Sequence, residues 1–279
     1  MRSTPNPFTD AAQVWGPLYA TASRIASRTS ALHRARVVGR HAAEVITELA
    51  AEADPEPAII ADIGCGRGTT TLTLAKRFPN ARITAIDLSA PLLAVTRDRL
   101  FGSPASAAIR ADFHQIPLAD ESCALVVAAF CLYHSPTPAD AVAEIARCLT
   151  RDGKAILVVK SADSYRELDC LMAASGLDPS AESRPSLYQA AHSGNITDLA
   201  ATGLSVRQVV HETHRFIFPS LADAAGYLAT SPKYDLPPAL AGSPDSLAAA
   251  LRERLPDGPV QATSVVTYLV SDPKAGASR

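Results

Sequence analysis

Between Ala58 and Val159 short apolar runs alternate with longer segments whose apolar residues recur at helical spacing. This alternation constrains the fold more than any other feature of the chain. Ala58–Ile63, Ala81–Asp87, Ala107–Asp112, Ala124–Phe130 and Gly153–Val159 read as strands. Gly68–Phe78, Pro91–Leu100 and Ala139–Leu149 read as helices, with Ser89 placed to cap the second of them. Short strands that alternate with amphipathic helices predict an α/β fold, a doubly wound and mostly parallel sheet covered on both faces. In such sheets the ligand lies beyond the carboxyl ends of the strands, where the winding reverses. Functional residues are therefore expected just after the first four strands.

The flanking regions are less regular. Asp10–Ser27 and Ser30–Ala53 read as two alanine-rich helices, ended by Asp54-Pro55-Glu56-Pro57. After Lys160, Tyr165–Ala174, Leu221–Thr230 and Asp245–Leu255 read as helical, and Ser205–Phe218 and Gln261–Ser271 as strands. The polar tail from Asp272 is expected to fray.

The turn after the first strand is Asp62-Ile63-Gly64-Cys65-Gly66-Arg67-Gly68. Glycines at 64, 66 and 68 let the backbone turn sharply and let a ligand lie against it. The following helix aims its first N–H groups at that ligand. A dinucleotide fingerprint would place its third glycine at Thr69, and Asp62 would repel a pyrophosphate while suiting an ammonium group. Asp87, at the end of the second strand, can accept hydrogen bonds from a ribose diol. Asp112, read as ending the third strand, can accept from an adenine amino group, with Leu88 and Phe113 near the ring. Each acid alone has a bland reading, as a helix-terminus charge for example. Three of them on successive strand ends beside a glycine turn do not read as packing.

These residues resemble the class I S-adenosylmethionine-dependent methyltransferases, in particular the small-molecule group that includes the ubiquinone-pathway C-methyltransferases. The resemblance covers about residues 58 to 160. Its most specific parts are Ala61–Gly68, Ala111–Ser122, which is similar to an "aD…lPf.d.sFD" signature, and Phe130–His134, which is similar to a post-strand "LHH" segment. Ala139–Lys154 is similar to "l.E..RvLkpGG". The chain departs at Cys123-Ala124 (Phe-Asp in the family), at Asp152-Gly153 (Pro-Gly) and at Tyr133 (His). The resemblance implies S-adenosylmethionine as cofactor, with methionine on the glycine loop, ribose on Asp87 and adenine on Asp112. The cofactor contacts so expected are Asp62, Gly64, Cys65, Gly66, Gly68, Asp87, Leu88, Asp112, Phe113 and Ala129, with Tyr19 or Arg24 closing over the methionine end.

Tyr133 and His134 are the catalytic candidates, His134 either as a base or as a residue that shapes the pocket. Tyr165, Arg166, Tyr188, His192, Tyr227 and Tyr234 are further pocket candidates, while Trp15 and Tyr19, four apart, equally suit a helix-packing face. The fold implied is a seven-stranded Rossmann-like sheet. Residues 1–54 would form a helical cap and 55–160 the cofactor core. Residues 161–272 would complete the sheet and carry lid insertions, leaving 273–279 as a tail.

Composition excludes several alternatives. With 26 basic and 28 acidic residues there is no field to draw in a nucleic acid. No apolar run is long enough to span a bilayer, and the first residues lack the apolar core of a signal peptide, so a soluble cytoplasmic protein is expected. Cys65, Cys123, Cys131, Cys148 and Cys170 contain no C-x-x-C pair and read as buried or incidental thiols, and the pair His211 and His214 lacks a metal-site context. No metal is expected. The expected activity is methylation of O, N or C of a small organic molecule, by a monomer or homodimer, in specialised metabolism. A protein that binds the same cofactor without methylating stays open. A nicotinamide-dependent reductase also stays open, though no Tyr-x-x-x-Lys pair supports it.

Overall fold

The computed structural model describes residues 6–14, 18–19, 22–102 and 106–274. Its elements are α1 (Ala11–Val14), α2 (Ala22–Ala35), β1 (Arg36–Val38), α3 (Ala42–Ala53), β2 (Ile59–Ile63), α4 (Thr69–Arg77), β3 (Arg82–Asp87), α5 (Ala90–Arg99), β4 (Ser106–Arg110) and β5 (Cys123–Ala129). A short turn of 3₁₀ helix at Leu132–His134 precedes α6 (Pro138–Cys148). Then come β6 (Leu149–Lys160), α7 (Arg166–Ala174), α8 (Ile196–Ala200), β7 (Leu204–Phe218), α9 (Leu221–Leu228), α10 (Pro244–Arg252) and β8 (Val260–Pro273).

One sheet runs in the order β1-β7-β8-β6-β5-β2-β3-β4. The five strands from β6 to β4 are parallel, and β8, β7 and β1 add antiparallel at the other side. The winding reverses between β2 and β5, which places the expected ligand crevice there.

Alternation along the central strands explains why both faces are covered. On β5, Val126 and Ala128 face one apolar cluster while Leu125 and Val127 face the other. On β6, Leu157 and Val159 lie opposite Ile156 and Val158 in the same way. The first cluster is closed by Val142 and Ile145 of α6 and by residues of the C-terminal half. The second is closed by Ile46 and Leu49 of α3 and Leu74 of α4. Each such aliphatic side chain, fully buried, contributes roughly 1.5–3 kcal/mol to folding.

Three expectations are corrected. Asp272 and Pro273 do not begin a frayed tail but close β8, paired with Ser205 and Leu204 of β7. The sheet has eight strands where seven were expected. The extra strand is β1, which interrupts the helix read across Ser30–Ala53. Arg36 and Val38 pair with Phe216 and Arg215 of β7, and Gly39 follows with φ +99°. A Cβ on Gly39 would lie 2.5 Å from the His214 ring, so only glycine lets the chain turn here against β7. Two β-branched residues before that glycine favour the strand over continued helix. The third parallel strand is also shorter than expected. It ends at Arg110, leaving Asp112 two residues past it in the following turn.

Candidate functional site

A cavity of about 1380 Å³ opens beyond the carboxyl ends of β2, β3, β4 and β5. Gly64, Cys65, Gly66, Asp87, Leu88, Asp112, Phe113, Ala129, Tyr133, His134 and Tyr19 all line it. Asp62 and Gly68 do not line it. Trp15 and the side chain of Arg24 lie outside the described residues.

The three glycines have left-handed backbones for different reasons. Gly64 (φ +62°) packs so closely on Cys131 that a Cβ would lie 2.4 Å from that residue's Cβ. Gly68 (φ +72°) faces Thr96, whose methyl would be 2.8 Å from a Cβ. Gly66 (φ +56°) has nothing within 4 Å of the Cβ position. Its open side is the part of the turn against which a ligand can lie.

Asp62 is buried, and its carboxylate accepts from the Thr71 hydroxyl and the Thr71 backbone N–H in the first turn of α4. It thus caps a helix whose own cap residue, Gly68, has no side chain to offer. Burial raises its pKa to about 7. Asp87 stands differently. Its Oδ2 accepts from Gly66 N at 2.8 Å and its Oδ1 from Ser89 N at 2.8 Å, which ties the glycine turn to the start of α5. The Leu88 backbone N–H bonds the same carboxylate, and of its about four acceptor positions not all are taken. Asp112 is held by His114: its Oδ1 accepts from His114 N at 2.9 Å and from His114 Nδ1 at 2.7 Å. His114 Nε2 then accepts from the Ser135 hydroxyl at 2.8 Å, and Ser135 Oγ accepts from Thr137 N. His114 was not singled out in the sequence, although its place two residues after Asp112 is the signal that would have found it.

The far end of the cavity is aromatic. Phe8 stacks on Tyr133 with centroids 5.4 Å apart, and Tyr133 meets Tyr188 edge-on at 5.0 Å. Tyr165 and Tyr227 are 5.4 Å apart, and both line the cavity. Phe130 and Tyr165 both have left-handed backbones (φ +58° and +66°), and their rings lie 5.5 and 4.8 Å from the Lys160 ammonium. Such strain in bulky residues costs of order 1–3 kcal/mol each and concentrates at functional sites. Arg166, His192 and Tyr234 do not line this cavity. Arg166 pairs with Glu182, His192 accepts from Gly194 N, and Tyr234 donates to Asp169.

His134 is fixed at both ring nitrogens. Phe8 O can only accept, so Nδ1 is the donor at 3.1 Å, and Nε2 accepts from the Tyr19 hydroxyl at 2.6 Å. Arg28 of α2 hydrogen-bonds in turn to that hydroxyl. Burial lowers the His134 pKa to about 3 and raises that of Tyr19 to about 12, so both are neutral near pH 7. A proton abstracted from an acceptor would have to displace Tyr19 from a poor base. The arrangement orients groups better than it moves protons.

Among the described residues no helix is long and apolar enough to cross a membrane, and no group of three or more His, Cys, Asp or Glu is placed to hold a metal. The five cysteines are free thiols.

Comparison with known proteins bears on the family and the fold. A family profile described as a methyltransferase domain matches residues 61–157. The malonyl-acyl-carrier-protein O-methyltransferase of Laribacter hongkongensis is 34% identical over 121 residues, 40% of this chain and 40% of that protein. The trans-aconitate 2-methyltransferase of Acidovorax sp. (strain JS42) is 33% identical over 129 residues, 46% of this chain and 48% of that protein. The chain therefore matches less than half the length of these curated relatives. Among solved structures, the cyclase SpnF superposes with a TM-score of 0.58 at 16% identity, covering 97% of this chain and 98% of that one. The YcgJ protein of Bacillus subtilis gives 0.56 at 16% identity, covering 85% and 99%. At such identities the likeness is one of fold. Glycine turn, sheet order and matched profile agree that residues 61–157 form a methyltransferase domain.

Proposed function

We propose that the protein transfers the methyl group of S-adenosylmethionine to O, N or C of a small organic acceptor, in specialised metabolism. One observation carries the reading: a single cavity joins the open side of Gly66 and the carboxylates of Asp87 and Asp112 to a chamber walled by tyrosines. The free lone pairs of Asp87 would take the ribose diol, and those of Asp112 the adenine amino group, beside Leu88 and Phe113. The cofactor supplies an already activated methyl group, so the protein's part is alignment and exclusion of water. Tyr133 and His134 do this by position. Tyr19 fastens the N-terminal segment over the site, since its carbonyl accepts from Ser89 Oγ at 3.1 Å while its hydroxyl holds His134. Residues 1–54 and the insertions after residue 160 serve as the lid in this reading.

The test is incubation with methyl-labelled S-adenosylmethionine and a library of small hydroxylated, amino and carboxylic aromatic compounds, read by mass spectrometry. The expected result is a labelled product formed with equimolar S-adenosylhomocysteine and lost in Asp87→Ala. An acceptor converted without uptake of label would replace methyl transfer with cofactor-supported chemistry of another kind.

A further inference from the structure

The acceptor chamber holds two cationic side chains that the cofactor does not need. Arg28 projects from α2 and Lys160 ends β6, and both line the cavity. They share neighbours. The Lys160 ammonium lies 5.6 Å from the ring of Tyr188, whose hydroxyl is also among the groups acting on Arg28. Lys160 Nζ donates to the Tyr165 hydroxyl at 2.7 Å. Neither Arg28 nor Lys160 takes part in an ion pair among the described residues. Burial acts first on Arg28, and the titratable side chains around it are those of Tyr19, Tyr227, Tyr188 and Tyr133. The acids on the cavity wall, Asp87, Asp112 and Asp140, belong to the strand-end and α6 side, and the first two are engaged as described above.

Two cations brought together in a tyrosine-lined chamber without a carboxylate repel each other and lose hydration. A fold that only needed donors for Tyr19 and Tyr165 could use neutral side chains in both places. The geometry points to an anionic acceptor: a small molecule with an aromatic or otherwise apolar body and one carboxylate, which Arg28 and Lys160 hold together. This rests on the methyltransferase reading and narrows its substrate class. The guanidinium offers a fork matched to a carboxylate, the ammonium a point charge, and the tyrosine faces receive the body. A supporting property follows from burial. It lowers the Lys160 pKa to about 7, with Arg28 adding to the effect. A bound carboxylate would oppose that shift and draw a proton onto Lys160. The other titratable groups that face Lys160 are Tyr165 and Tyr188, both raised by burial, and His33 and His214, both lowered by it. All four stay neutral near pH 7.

The test is calorimetric titration in the presence of S-adenosylhomocysteine. The probes are benzoate, phenylacetate, trans-cinnamate and 4-hydroxybenzoate, each beside its primary amide, with phenyl phosphate as a further arm. The inference expects at least one acid to bind tenfold or more tightly than its amide. That preference should fall to about twofold or less in Arg28→Gln/Lys160→Gln, which keeps hydrogen-bond donors at both positions, with amide affinity unchanged. Acid affinity should also weaken above pH 7 in the wild type and not in Lys160→Gln. Equal binding of acids and amides, a preference that survives in the double variant, tighter binding of phenyl phosphate than of any acid, or no acid bound by cofactor-loaded protein would each overturn it. Affinity for S-adenosylhomocysteine, measured on the same samples, keeps the two readings separate. Its absence would remove the cofactor assignment, while its presence without acid preference removes only the substrate class.

Discussion

Alanine at Gly66 and alanine at Gly64 ask the same turn two different questions. Both residues have left-handed backbones, so either substitution carries a strain of about 1–2 kcal/mol. At Gly64 the new methyl also lands 2.4 Å from Cys131 Cβ, deep between β2 and the segment after β5. Overpacking of that kind adds roughly 1–3 kcal/mol. At Gly66 the methyl meets no protein atom within 4 Å and projects into the space assigned to the cofactor. Gly64→Ala should therefore lower stability by about 2–5 kcal/mol, and Gly66→Ala by only about 1–2 kcal/mol. Their effects on binding should rank the other way. Gly66→Ala should lose at least about tenfold in S-adenosylhomocysteine affinity, equivalent to about 1.4 kcal/mol. Urea denaturation followed by circular dichroism gives the first quantity and calorimetric titration the second. Wild-type affinity in Gly66→Ala, or equal stability of the two variants, would refute the assignment of Gly66 as the cradle and Gly64 as a packing glycine.

Two further predictions concern groups outside the turn. His134 titrates near 3 in the folded protein and near 6.5 when unfolded, so below pH 6.5 the unfolded chain binds the extra proton and stability falls with pH. The loss between pH 6.5 and 4 should reach at most about 3 kcal/mol. Asp62, raised to about 7, acts with the opposite sign between about pH 4 and 7, so the wild type must be compared with His134→Gln, in which Asp62 is unchanged. Parallel stability curves for the two would contradict the buried, neutral His134. The second prediction concerns Lys233, whose ammonium donates to the buried carboxylate of Asp169 on α7 and so pins the segment after α9. Lys233→Met should cost about 3 kcal/mol by stranding Asp169, and Lys233→Met/Asp169→Leu should recover most of it. Equal losses in the single and double variants, by urea denaturation, would show that the pair does not act as argued.

What could be read from the residues follows from how local each signal is. The parallel strands and the helices between them carry their period within a dozen residues, so their order and the crevice beyond β2 and β5 were legible. β1 was not, because alanine-rich segments on both sides of Arg36–Val38 continue a helical pattern, and its partner β7 is far along the chain. Gly39 after Val37 and Val38 was the available clue. Asp62 reads as a ligand contact by sequence position, yet its side chain turns to Thr71 and caps α4, a choice made by the geometry of the turn. Arg28 on an amphipathic helix and Lys160 at the end of an apolar run look like solvated charges in one dimension. Only the folding of α2, β6 and Tyr188 around one chamber brings them together. Likewise the relay from Tyr19 through His134 to Phe8 joins residues more than a hundred positions apart.

The cofactor assignment rests most heavily on Asp87, whose carboxylate joins the glycine turn to α5 and faces the cavity. The decisive measurement is calorimetric titration of S-adenosylmethionine into the wild type and into Asp87→Ala, with the fold of each checked by circular dichroism. One site per chain in the wild type, weakened tenfold or more in the folded variant, is the predicted result. No binding by the wild type, or equal affinity in the two proteins, would contradict it.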